Sequence, residues 1–177
     1  MTILLKSTAI MILLGSLIIG LNAQEIEGSH ERVFKNFKTE LLWEAKVKIG
    51  EMINLGESKR GERRIIPILG GTFDGSNIRG VVLPMGEDWQ LVRPDGDTEL
   101  YARYLLKTDD GYIIQVINKV LIHVGDEFYS KSVIDLEAPV NSPYEYLNHA
   151  IFIGTLGFPD LMPGEDPYVI IGVYKLL

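Results

Sequence analysis

From residue 65 onward the chain is a succession of short apolar runs, each closed by a cluster of Gly, Pro or Asp. "RIIPIL" runs into Gly70-Gly71, "IRGVVL" into Pro84 and Gly86, "DWQLV" into Pro94-Asp95-Gly96, "TELYARYLLK" into Asp109-Asp110-Gly111, and "YIIQVINKVLIHV" into Gly125-Asp126. Gly reaches positive φ, Pro presets φ, and Asp bonds nearby backbone, so every cluster favours a reversal between antiparallel neighbours. Upstream, Leu41, Trp43, Ala45, Val47 and Ile49 alternate with Glu44, Lys46 and Lys48, which gives one apolar and one charged face at strand period. "EFYSKSVIDL", "LNHAIFIGTLG" and "PYVIIGVYKLL" complete about eight to nine strands. No long stripe at helical period competes with them, and only "SPYEYLN" suggests a helical turn, near Tyr144 to Leu147, with Ser142 as N-cap. A meander of this kind must hide its edges, and an all-β, antiparallel up-and-down barrel is preferred to a sandwich.

Composition agrees. Eighteen Gly and eight Pro suit many short strands, and 46% hydrophobic residues can fill one core in a chain of 177 residues. Residues 1–23 are set apart: Lys6 lies in a short n-region, Ile10 to Leu21 is an apolar run too short for the ~20 residues of a spanning helix, and Ala23 is a small residue at the expected cleavage point. The expectation is a signal peptide over 1–23, a flexible lead-in over 24–39 and one barrel domain over 40–177. The product would be exported, periplasmic or secreted, with no stable membrane span after cleavage.

Net charge is −7, and removal of Lys6 with the leader makes the mature chain more acidic still, which argues against a nucleic-acid partner. Lys59, Arg60, Arg63 and Arg64 interleave with Glu57 and Glu62, as in a solvated loop. Cysteine is absent, so neither disulfides nor thiolate metal sites contribute. His30, His123 and His149 lack metal-ligand spacing, and no phosphate loop, dinucleotide fingerprint or Gly-x-Ser-x-Gly elbow occurs; neither metal nor cofactor is expected.

The blocks "IIPILGGTFDGSNIRGVVLPMGEDWQLVRPDG", "ARYLLKTDDG" and "EAPVNSPYEYLN" resemble the domain-of-unknown-function 3237 family over approximately residues 40–177. The resemblance implies a compact antiparallel barrel with a central cavity, and no settled reaction. Its pattern falls on Gly70, Gly71, Phe73, Gly75, Gly80, Asp88, Trp89, Arg93, Asp95, Gly96, Arg103, Tyr104, Asp109, Gly111, Glu137, Tyr144 and Asn148. The chain departs from it at Tyr101, where the family commonly has Asp, and at Tyr146, where Trp is frequent; a shared reaction needing the first of these carboxylates would be in doubt here.

On a regular strand Asp88 and Trp89 face opposite ways, so only a bulge near Gly86 would aim both inward. Asp88 fits a turn residue or a group at the cavity mouth. Trp89 fits core packing or ligand stacking. Arg93, Arg103, Asp95 and Glu137 fit structural ion pairs or a ligand-facing cluster, because an isolated buried charge is costly. Two readings follow. One is a barrel binding a small organic ligand, aromatic ligands included, through Trp89, Arg93, Tyr104, Tyr144 and Asn148. The other is a cofactor-free isomerase, cyclase or lyase in which Asp88 or Glu137 moves a proton and Arg103 or Arg93 steadies negative charge.

Overall fold

The computed structural model describes residues 38–177; the expected signal peptide and residues 24–37 of the lead-in lie outside them. Ten strands form: β1 Thr39–Ile49, β2 Ile53–Ser58, β3 Gly61–Asp74, β4 Arg79–Val82, β5 Glu87–Val92, β6 Thr98–Thr108, β7 Ile113–Val124, β8 Phe128–Glu137, β9 Phe152–Gly157 and β10 Tyr168–Leu176. All pair antiparallel, in the order β1-β10-β9-β8-β7-β6-β4-β3, and β1 pairs with β3 to close the ring. β4 and β5 share one stave, each bridging β3 and β6, so the barrel has eight staves. β2 is an outlying hairpin partner of β3, and it carries the basic residues expected in a loop into a β2–β3 turn and the start of β3. Closure leaves the meander without an unpaired edge inside the barrel wall.

Two glycines permit close approaches. At Gly71, φ is +141° and a Cβ would lie 2.0 Å from the Lys46 carbonyl oxygen, so only glycine lets β3 run so close to β1. At Gly86, between β4 and β5, a Cβ would lie 2.7 Å from the Tyr104 Cβ. The expected turns at Pro94-Asp95-Gly96 and Asp109-Asp110-Gly111 form, with Gly96 at φ 93° and Gly111 at φ 97°. The helical turn is a 3₁₀ segment, η1 Glu145–His149, one residue later than expected; Ser142 Oγ accepts the Tyr144 N–H instead of capping it as a helix start.

Packing differs between the two ends. At the end formed by the β6–β7 turn and η1, Trp43, Phe73, Leu106, Ile114, Leu136 and Phe152 fill the lumen, with Trp43 edge-on to Phe73 at 5.8 Å. Leu147 of η1 is 1% exposed and plugs that end. Asn148 fastens the plug, accepting the Ala138 N–H at 2.8 Å and donating to its carbonyl at 2.9 Å. The other end, formed by the β2–β3, β5–β6, β7–β8 and β9–β10 connections, is less filled.

Candidate functional site

Strand period two decides what enters the lumen. On β5, Asp88 and Gln90 point in and Trp89 points out; on β6, Leu100, Ala102 and Tyr104 point in; on β7, Val116, Asn118 and Val120 do. The ladders place Asp88 opposite Ala102, and Ala102 opposite Asn118. Asp88 and Asn118 are thus two staves apart, about 10 Å along the wall at the usual strand spacing, with only the Ala102 methyl between them.

Above Ala102 lies a hollow of about 80 Å3, lined by Asp88, Gln90, Tyr104 and Asn118 and by an apolar wall that includes Val47, Ile68, Leu156 and Ile171. That is room for several waters or for the head of a small organic molecule. Phe158, at the end of β9, lines it too and is 57% exposed, which marks the mouth.

The polar groups here are under-satisfied. Gln90 Nε2 donates to Asp88 Oδ2 at 2.7 Å. Asp88 Oδ1 and Asn118 Oδ1 are buried without a hydrogen-bond partner among the described residues, and so are Ser130 Oγ and Ser132 Oγ on the inward face of β8. Native interiors hold few such atoms, since each costs about 1–3 kcal/mol of desolvation. Burial drives the Asp88 carboxyl above the ordinary carboxylate range; the Gln90 amide opposes this, and the nearby Tyr101 backbone N–H, which makes no full hydrogen bond to Oδ1, opposes it less. Burial alone lifts the Tyr104 phenol well above its usual value.

Of the eight residues expected to form the site, Asp88 and Tyr104 line the hollow. Asp88 does so partway down its stave, not at the mouth. The other six lie elsewhere. Trp89 is 40% exposed on the outer wall, opposite Tyr101; it is outside the core and the hollow and lines an open surface depression with Tyr101 and Arg103. Arg103 is also outside, donating to Gln115 Oε1 at 3.0 and 2.5 Å, and Glu137 is exposed opposite Gln115. Neither converges on Asp88, because 103 and 137 have the outward parity of their strands. Arg93 pairs with Asp95, with Glu99 at 3.2 Å and with Asp97 at 3.7 Å, a surface cluster around the β5–β6 turn. Tyr144 donates to Asp110 Oδ1 at 3.0 Å and sits edge-on to Tyr112, and Asn148 holds the plug. Gln90, Asn118, Ser130 and Ser132 take the inward places, and no reading of single motifs singled them out. A signal was present for three of them: Asn118, Ser130 and Ser132 are polar residues on the apolar parity of an otherwise alternating strand, whereas β5, with Asp88 and Gln90 on one face and Trp89 and Leu91 on the other, gives none for Gln90.

Among the described residues no group of three His, Asp or Glu side chains is placed to hold a metal ion.

These features define a closed antiparallel β-barrel with a small, partly polar hollow at one end. A family profile described as "Protein of unknown function (DUF3237)" matches residues 37–176, and the chain belongs to that family. A UPF0311 protein of Rhodopseudomonas palustris is 44% identical over 81 residues, covering 46% of this chain and 53% of its own length. A UPF0311 protein of Clostridium acetobutylicum is 39% identical over 95 residues, covering 53% of this chain and 60% of its own length. The matched stretch therefore spans little more than half of these relatives. In three dimensions, the crystal structure of a conserved protein of unknown function from R. palustris superposes with TM-score 0.71 at 30% identity, over 80% of this chain and 99% of that one. An enzyme from Penicillium herquei superposes with TM-score 0.61 at 20% identity, over 80% of this chain and 95% of that one; the likeness is one of fold.

Proposed function

We propose that the barrel binds a small organic ligand in the hollow above Ala102, with Asp88 and Asn118 as its polar contacts. The observation that carries this reading is the pair of buried, unpartnered oxygens, Asp88 Oδ1 and Asn118 Oδ1, flanking the smallest side chain of that row. An interior evolved only for packing would place hydrocarbon at both positions and a larger residue between them. A ligand donating hydrogen bonds to those oxygens satisfies them while its carbon skeleton meets the apolar wall, the usual division of labour in a binding cavity. The barrel is proposed to act after export, on the strength of the Lys6, apolar-run and Ala23 pattern, and N-terminal sequencing of the mature protein tests that step.

The binding test is a thermal-shift screen of small neutral alcohols, phenols and amides, repeated on Ala102→Leu. Compounds that stabilise the wild type and not the variant support the reading. A screen without stabilising compounds, or stabilisation that survives in Ala102→Leu, sinks it.

One observation favours a second reading. Asp88 is a carboxyl raised by burial that faces the hollow with one oxygen free, the condition for an acid or base in a cofactor-free isomerase, cyclase or lyase. Asn118 or the Tyr104 hydroxyl, and not an arginine, would then meet developing charge. On this reading Asp88→Asn abolishes turnover of a compound whose binding, weakened by loss of the Oδ1 acceptor, remains measurable; turnover that survives the substitution refutes it.

A further inference from the structure

The hollow opens onto apolar surface. Its lining residue Phe158 packs edge-on against Phe128, with ring centroids 6.2 Å apart, and both are more than half exposed, at 57% and 59%. Val124, one strand end from Phe128, is 74% exposed, and Met162, in the β9–β10 connection that begins at Phe158, is 72% exposed. Ile53 on β2 and Leu161 on the same connection add to this end. Large side chains this open are expected singly on a surface; Phe158 packed on Phe128, with Val124 opposite Phe128 in the β7–β8 ladder, is a contiguous apolar patch at the opening of the kind that marks a binding surface.

Charge narrows the occupant. The same end carries Asp126, Glu127, Asp160, Glu165 and Asp166, two of which are tied to β1 by Lys46–Glu165 at 3.1 Å and Lys48–Asp166 at 3.3 Å. Lys59 and Arg60 of the β2–β3 turn lie at this end too, so its surface charge is mixed and the interior is what discriminates between heads. Among the described residues no cation lines the hollow itself, where a carboxylate head would sit unpaired beside Asp88; Arg64, opposite Gln90 on β3, lies beyond that lining. Of the buried unpartnered atoms, the two that line the hollow, Asp88 Oδ1 and Asn118 Oδ1, accept hydrogen bonds.

Resting on the ligand-binding reading above, we infer that the ligand is a single-tailed amphiphile: an uncharged, hydrogen-bond-donating head lies between Asp88 and Asn118, and its hydrocarbon tail leaves past Phe158 across Phe128, Val124 and Met162. A hollow of about 80 Å3 accommodates the head and the first carbons only, so the rest of a longer chain must lie on the rim.

Isothermal titration of the full chain with primary alcohols from butan-1-ol to decan-1-ol tests this. Each added methylene should tighten Kd about three- to fourfold, as for hydrocarbon leaving water. The double variant Phe128→Ser/Met162→Ser should bind butan-1-ol like the wild type and gain less than twofold per methylene beyond hexan-1-ol. The methyl ether of equal length, which cannot donate, should bind at least tenfold more weakly than the alcohol, and decanoate at pH 8 should bind more weakly than decan-1-ol. Short alcohols whose binding is lost in Ala102→Leu, with affinity flat along the series or indifferent to the rim variant, overturn the amphiphile and leave the cavity reading standing. Binding that persists in Ala102→Leu overturns both. No binding at any chain length overturns the amphiphile, and the thermal-shift screen then decides the cavity separately.

Discussion

Replacing Asp88 by Asn should change how stability depends on pH more than it changes stability at any one pH. The side chains are nearly isosteric, and the amide oxygen can still accept the Gln90 Nε2–H that Asp88 Oδ2 accepts now at 2.7 Å. What the substitution removes is a titrating group. Burial raises the folded-state value of Asp88 above the roughly 3.9 of an unfolded chain, so the folded protein holds a proton that the unfolded chain has released. Between the two values the wild type loses stability as pH rises, with a limiting slope of about 1.4 kcal/mol per pH unit for one proton; above the folded value the loss is complete and the curve is level. Below the unfolded value Asp88 is neutral in both states and the penalty vanishes. The difference in unfolding free energy, Asp88→Asn minus wild type, should therefore be flat at the acid end, climb with pH, and level off at the folded value. Urea unfolding at half-unit steps from pH 3.5 to 8 measures this directly, and equal m-values confirm that the same transition is compared. A difference that is flat throughout, or falls as pH rises, would show the carboxylate to be stabilised by a partner, and the account of an unpaired group facing a hollow would fail.

Other outcomes follow from the same geometry. Gly71→Ala should cost about 3 kcal/mol or more, because it combines a positive φ with a Cβ 2.0 Å from the Lys46 carbonyl oxygen, and chemical denaturation would show it. Asn148→Ala should lose about 1–2 kcal/mol from its two bonds to Ala138 without altering ligand affinity, since the plug closes the end away from the mouth. Glu137→Gln and Arg103→Gln should each stay within about 0.5 kcal/mol of the wild type and leave binding unchanged in the titrations above, in keeping with their outward positions.

The architecture was legible because strand period and most of the turn chemistry agree from residue 41 to the end. Two clusters read as reversals are not, since Gly70-Gly71 lies inside β3, where it lets that strand pass close to β1, and Pro84 and Gly86 join β4 to β5 along one stave. β2 escaped notice because "INLGES" is solvent-facing throughout and so shows no alternation. The site was legible only at Asp88 and Tyr104. Treating Arg103 and Glu137 as site residues weighed chemistry above parity: Ala102 and Tyr104 point inward, which turns Arg103 out, and Leu136 does the same to Glu137. Conversely, Asn118 in "IIQVINKVLI" and Ser130 and Ser132 in "YSKSVIDL" occupy inward parity, and a polar residue in such a place is the mark of a lumen that is not pure hydrocarbon. What alternation could not supply is which end stays open. That depends on the bulk of Trp43, Phe73 and Phe152 meeting at one end while Ala102 faces the other, a matter of closure among strands distant in sequence.

A high-resolution crystal structure of the mature chain, with butan-1-ol in the soak, tests the central claim most directly. The account predicts ordered density above the Ala102 methyl, with the hydroxyl donating its one proton to Asp88 Oδ1 or to Asn118 Oδ1. Side chains closing over that space, with both oxygens bonded to protein groups, would contradict it.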